Sequence, residues 1–182
     1  MLKDKIILGI LVGLLADAVK LTFNFIGFRL NFTPVVFWQL ISALFLEKED
    51  VFTPAGILIG GIADIIVAGF LGVIFIYVIY FTGKENLWIK GIGFGLLVWV
   101  SLFGLLLGQL VHDKVPLEPS GILITIAAHF LYGLSLAVFT KLLAGNLTFF
   151  IEDVKKFQQE KSFKLSTSLQ KSKISFKKPK KI

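Results

Sequence analysis

A chain of 182 residues that is 55% hydrophobic and 14% aromatic, with a mean hydropathy of +0.83, carries more apolar surface than a water-soluble fold of this length can bury. It has no cysteine, which excludes disulfides, thiolate metal sites and a cysteine nucleophile. The formal net charge of +7 sits entirely beyond residue 151, where ten lysines meet Glu152, Asp153 and Glu160, so the remainder is charge-balanced and the basicity is not a general nucleic-acid signature.

A helix needs about 20 largely apolar residues to cross a hydrocarbon core of roughly 30 Å. Four windows of that length occur, at 6–28, 57–81, 91–111 and 120–140. The first is interrupted by Asp17, Lys20 and Asn24. Its start, with Lys3 and Lys5 ahead of an apolar run and Ala16-Asp17-Ala18, also has the form of a cleavable signal peptide, but the apolar pattern resumes from Leu21 to Phe28 as a spanning helix requires. A shorter apolar stretch, 34–46, cannot span. It is expected to lie along the outer interface or to re-enter, with Trp38 and Gln39 near headgroup level. The second span opens at Thr53-Pro54, a cap and first-turn pair, and has Asp64 as its only charge. The third has no charge, and the fourth, after Pro116 and Pro119, carries His129.

Loop charges orient these spans. Lys3, Lys5, Lys84, Lys90 and the Lys-rich end fall on one side, whereas Arg29, Lys48 and Lys114 are mixed with Glu47, Glu49, Asp50, Asp113 and Glu118 on the other. The excess of lysine on one side places both termini and the loop between spans two and three in the cytoplasm. The predicted fold is therefore an all-α integral membrane protein of the cytoplasmic membrane: a four-transmembrane-helix bundle with one short interfacial or re-entrant helix and a cytoplasmic basic tail.

Helix association in lipid depends on small residues that let backbones approach and on polar groups that need partners. Each span shows such a stripe, including Gly9 and Gly13, Gly56 and Gly60, Gly91 and Gly95, Gly104 and Gly108, and Gly133. Asp17 continues the first stripe, Asp64 the second and His129 the fourth. At 1.5 Å per residue Asp17 lies about 18 Å from Lys5, Asp64 about 15 Å from Pro54 and His129 about 14 Å from Ser120, so all three reach mid-depth. Lys20 stands one turn from Asp17, where an i,i+3 ion pair forms readily. Two readings of Asp17, Lys20, Asp64 and His129 follow: a polar pathway or ligand pocket, or a buried cluster that only sets helix register. His112-Asp113, beside Gln109, reads as a solvated outer turn.

No HExxH, GxSxG, Walker or Rossmann motif is present, and two histidines without cysteine argue against a metal enzyme, so no cofactor, metal site or catalytic residue is expected. An Asp17–Asp64 carboxylate dyad acting as intramembrane acid and base has no flanking motif behind it. After Gly145-Asn146 the apolar residues Leu147, Phe150, Ile151, Val154 and Phe157 mark an amphipathic juxtamembrane helix over 144–160. Residues 161–182 form a Lys/Ser-rich stretch too polar for a core, expected to be unstructured. Lys161, Phe163, Lys164, Lys171, Lys173, Phe176, Lys177, Lys178, Lys180 and Lys181 are its candidate contacts with anionic lipid at the inner leaflet. No motif directs these lysines to nucleic acid.

The runs from Lys161 to Ser166 and Ser175 to Lys178 resemble the basic-aromatic effector segment of the myristoylated, alanine-rich kinase-C substrate, a convergence of lipid-binding composition. Over residues 1–143 the order of features resembles small four-span membrane proteins of Gram-positive bacteria of the YqhR-like kind, through Trp88-Ile89-Lys90-Gly91 leading to Gly95 and Trp99 and through the closing stretch from His129 to Gly133. That resemblance implies a bacterial membrane source and no activity, and the Lys-rich extension departs from it. The sequence thus leads to a non-enzymatic role in interaction or assembly, with a homo-oligomer or another membrane protein as partner. The alternatives are a small transporter or channel subunit using the mid-depth cluster, and, third, an intramembrane enzyme.

Overall fold

The computed structural model describes residues 4–107, 114–116, 118–144, 159–160, 162–164 and 166–167. These form helices and turns without a strand: α1 (Lys5–Arg29), α2 (Phe37–Ser42), α3 (Lys48–Val51), α4 (Pro54–Thr82), α5 (Leu87–Trp99) running on as a π-helix (Val100–Leu107), and α6 (Pro119–Ala144). Four of these helical segments are long and apolar enough to cross a membrane. The chain divides into Met1–Asn146 and Leu147–Ile182.

Helix ends follow local chemistry. Asp4 accepts from the Ile6 and Ile7 amides at 2.7 and 3.4 Å and starts α1. Asn31, with φ 61°, closes it: the Phe32 amide reaches back to the Gly27 carbonyl at 2.9 Å, and the Asn31 amide to Phe28 at 3.0 Å. Thr53 caps α4 through the Gly56 amide at 3.1 Å, with Pro54 in the first turn. At the opposite end, Lys90 donates to the Thr82 and Gly83 carbonyls at 3.1 and 2.9 Å, and Lys84 to Ala144 at 3.1 Å. Two lysines of the loop region thus also satisfy helix C-termini, where the helix dipole favours a cation. Partial burial holds the Lys84 ammonium below the usual lysine range.

The burial pattern inverts that of a water-soluble bundle. In α1 the buried set includes Gly9, Gly13, Ala16, Asp17, Lys20 and Asn24, and in α4 Gly56, Gly60, Asp64, Ala68 and Gly72. Ile62, Ile65, Ile66 and Phe70 of α4 are instead exposed, the last two at 65%. Such an apolar exterior suits lipid, where only close backbone approach and polar pairing distinguish inside from outside.

Two hairpins build the bundle, and they repeat one contact. A Cβ at Gly13 would collide with the Ala68 carbonyl and Gly72, and one at Gly72 with Gly9 and Gly13. In the second hairpin a Cβ at Gly95 would collide with the His129 carbonyl and Gly133, and one at Gly133 with Gly91. Gly9 and Gly13 of α1 therefore correspond to Gly91 and Gly95 of α5, and Gly72 of α4 to Gly133 of α6. The hairpins join through α1 and α6, where Gly27 lies against Ile124, so the packing order is α4, α1, α6, α5. The outer helices α4 and α5 touch sparsely, as at the Phe75 and Phe94 rings 5.3 Å apart.

Some sequence expectations change here. Among the described residues, the backbones nearest to Gly56 and Gly60 are those of Asp50, Val51 and Trp38 and not those of another span, which seats α2 and α3 against α4. Gly104 is exposed on the π-helix and, among the described residues, a Cβ there would meet only Val100 of its own segment, because the wider π turn rotates it off the packing stripe. Gly108, His112, Asp113 and the helix at 144–160, apart from residue 144 in α6 and residues 159–160, lie outside the described residues. So do Lys161, Lys171, Lys173, Phe176, Lys177, Lys178, Lys180 and Lys181. Where the sequence reads as unstructured from Lys161, residues 162–164 and 166–167 are helical. Ser162 donates to the Gln159 carbonyl and Ser166 and Thr167 to that of Phe163, each at 2.8 Å. Phe163 and Lys164 are exposed.

Candidate functional site: a charged centre beside a cavity between the outer helices

The stripe positions that face inward on α1 and α4 place a single cation between two carboxylates. Lys20 Nζ lies 2.6 Å from Asp17 Oδ1, one turn away on α1, and 2.9 Å from Asp64 Oδ1 on α4. It also sits 4.0 Å from the centroid of the Phe37 ring and 5.9 Å from that of Tyr132. All three charged residues are at least 95% buried. The aspartate spacing makes the α1 pair local, whereas the α4 partner depends on Gly13 and Gly72 letting the two backbones come together.

His129 reaches the same centre from α6 without joining the ion pairs. Its Nδ1 is 2.8 Å from the Thr125 carbonyl, which only accepts, so Nδ1 carries the hydrogen and Nε2 of the neutral ring keeps a lone pair. Phe37, Phe103 and Tyr132 surround the imidazole at centroid distances of 5.6, 5.8 and 6.5 Å. Tyr132, in the buried part of α6, was not singled out from the sequence; its place one turn beyond His129 was the available signal.

The short helix α2 closes the centre on the side of the α1–α2 connection. Its first amides, buried in the fold, would otherwise be unsatisfied, and two are taken: Phe37 N–H donates to Asn24 Oδ1 at 2.8 Å, and Val36 N–H to Gln39 Oε1 at 3.0 Å. Gln39 thus turns back to cap its own helix, and Trp38 lends its backbone to the Gly60 contact. Leu40 and Ile41 are buried with Val35, Val51 and Val115. Asn24, which from the sequence interrupts the first span and continues its small and polar stripe, holds the tip of α2 over Lys20.

Between α4 and α5, a cavity of about 130 Å³ reaches this centre. Asp17, Lys20, Asp64, His129 and Tyr132 line its polar part. Val67 and Leu71 of α4 and Val98 and Leu102 of the third span form apolar walls, and Phe37 and Ile41 the cover. Leu102 belongs to the π-helical turns, an irregularity often found beside functional sites. Asp64 Oδ2 and the Tyr132 hydroxyl are buried and have no hydrogen-bond partner among the described residues.

The repeat gives a comparison inside one molecule. In the second hairpin, Trp99 stands where Asp17 stands in the first, and Thr125 where Asp64 stands. There the helices are joined by a neutral hydrogen bond, Trp99 Nε1–H to Thr125 Oγ1 at 3.0 Å. The same hairpin packing is therefore made without any charge.

Fold and site together define an all-α protein of the multi-pass membrane class, with four helices among the described residues long and apolar enough to span and a cavity of about 130 Å³ that reaches buried charges between the outer helices. Compared with models of known protein families, with curated proteins and with solved structures, the chain matches none.

Proposed function

We propose that this chain is a non-enzymatic multi-pass protein of the cytoplasmic membrane that binds a small solute at its charged centre, as a carrier or channel subunit. The observation behind this reading is the contrast between hairpins. Trp99 and Thr125 join one pair of helices with a neutral bond, so the charged triad of the other exceeds what packing requires. Charges at such depth are costly and typically mark substrate or ion paths. In proteoliposomes under an inside-negative potential, the protein is expected to conduct a cation flux that Asp64→Asn abolishes at unchanged folded yield. Flux that is absent, or equal in the variant, removes the transport reading.

The assembly reading rests on a different observation, the bridging of α1 to α4 by Lys20. If the cluster only sets register, Asp64→Asn is tolerated while Asp64→Leu destabilises the fold, and co-purifying partners that survive detergent identify the role. In both readings α2 is a re-entrant element at membrane depth, and both termini and the loop at 83–89 are cytoplasmic on the strength of the lysine asymmetry. Single cysteines introduced into this cysteine-free chain test the topology with an impermeant thiol reagent in intact cells: positions 47–50 should label, and a labelled C-terminal cysteine overturns the orientation.

The basic end is proposed to bind anionic lipid at the inner leaflet, with lysines supplying an attraction that salt screens and Phe163 and Phe176 a smaller apolar component. A peptide of residues 161–182 should bind anionic vesicles more tightly than neutral ones, by a margin that narrows at high salt. Equal affinity for both removes the claim.

A further inference from the structure

The centre holds two carboxylates and one ammonium, all buried, so with ionised side chains it carries an excess of one negative charge. An uncompensated charge out of water is costly, and the opposite charge can be supplied by a ligand. The unused acceptors belong to residues that line the cavity. Asp64 spends Oδ1 on Lys20 and leaves Oδ2 without a partner, 3% exposed as a residue; the Tyr132 hydroxyl, at 2%, is also unpartnered; and His129 offers Nε2 once Nδ1 is committed to Thr125.

We infer that the cavity between α4 and α5 binds a primary alkylammonium, its –NH3+ group donating to Asp64 Oδ2, the Tyr132 hydroxyl and His129 Nε2 and its short alkyl chain lying on Val67, Leu71 and Val98. The inference deepens the solute-binding reading by naming the substrate class. Three donors match three acceptors, whereas a bare metal cation requires more oxygen ligands than these side chains provide. The apolar walls suit a hydrocarbon tail and disfavour a strongly hydrated ion. The volume of about 130 Å³ holds a few water molecules or a short amine. Lys20 itself shows that this environment accommodates an ammonium: its Nζ is held by two carboxylates and by the Phe37 ring face.

The test uses the full-length protein in nanodiscs, with n-butylammonium as probe and calorimetric titration as readout, beside n-butanol and sodium chloride. Saturable binding of n-butylammonium is expected, with neither control competing. Asp64→Asn should weaken it at least about tenfold, since a hydrogen bond to a charged partner contributes more than a neutral one. Tyr132→Phe, which keeps the ring and removes only the hydroxyl, should weaken it severalfold while the protein melts at the wild-type temperature. Equal heats for n-butanol, competition by sodium at equal concentration, or unchanged affinity in both variants overturns the inference. Because binding is read at equilibrium, butylammonium binding without flux sinks only the transport reading. Flux without butylammonium binding sinks only the ligand assigned here.

Discussion

Lys20→Met is expected to be the most damaging single substitution in the bundle, at about 3–5 kcal/mol, the usual cost of removing one partner from a buried ion pair. Lys20 is the one cation that faces both Asp17 and Asp64 among the described residues, so its loss leaves two buried carboxylates with nothing to offset either. Methionine fills nearly the same volume, so the effect is electrostatic and not a cavity. The check is a rescue. In the Lys20→Met background, Asp17→Asn with Asp64→Asn removes both stranded charges and should recover most of the loss. A triple variant as unstable as the single one would mean that Lys20 acts through packing against Phe37 and Tyr132. Thermal unfolding of the protein in one detergent, with folded fraction followed by size exclusion, measures all three.

The second large effect belongs to the glycines where backbones cross. Gly13→Ala, Gly72→Ala, Gly95→Ala and Gly133→Ala should each destabilise by about 2–3 kcal/mol, because the added methyl group meets a carbonyl or backbone of the facing helix that cannot swing aside. Within a helix the same change is otherwise favourable by roughly 0.5–1 kcal/mol, since alanine restricts the unfolded chain. Gly93 supplies the control: nothing lies within 4 Å of a Cβ there, so Gly93→Ala should stabilise slightly. The sign change between Gly93 and Gly95, two residues apart on one helix, separates close packing from helix propensity. Gly104→Ala should behave like Gly93→Ala, against the packing role expected from its spacing.

Several of these features could be read in the sequence because lipid imposes simple demands. A span requires a long apolar run, so the four long helices were legible. Backbones approach only where side chains are small, so Gly9, Gly13, Gly91, Gly95 and Gly133 stood out by their spacing. Lys20 and Asp17 are three residues apart on one helix, and helical geometry alone brings them together. Helix periodicity states which face a residue occupies and not which neighbour that face meets. That Asp64 completes the ion pairs, that Gly56 and Gly60 receive α2 and α3, and that α4 and α5 stand apart around a cavity depended on the order of packing, α4, α1, α6, α5. Asn24 looked like an interruption of the first span and Gln39 like a headgroup-level residue, and both became the caps of a buried helix because amides removed from water must find acceptors. The π turns after Trp99 moved Gly104 off its stripe and brought Leu102 to the cavity, since a change in helical repeat rotates every later side chain. From the sequence the charges read as lying at mid-depth; tertiary packing decided that one ammonium serves two carboxylates and that an oxygen on each of Asp64 and Tyr132, residues that line the cavity, is left without a partner.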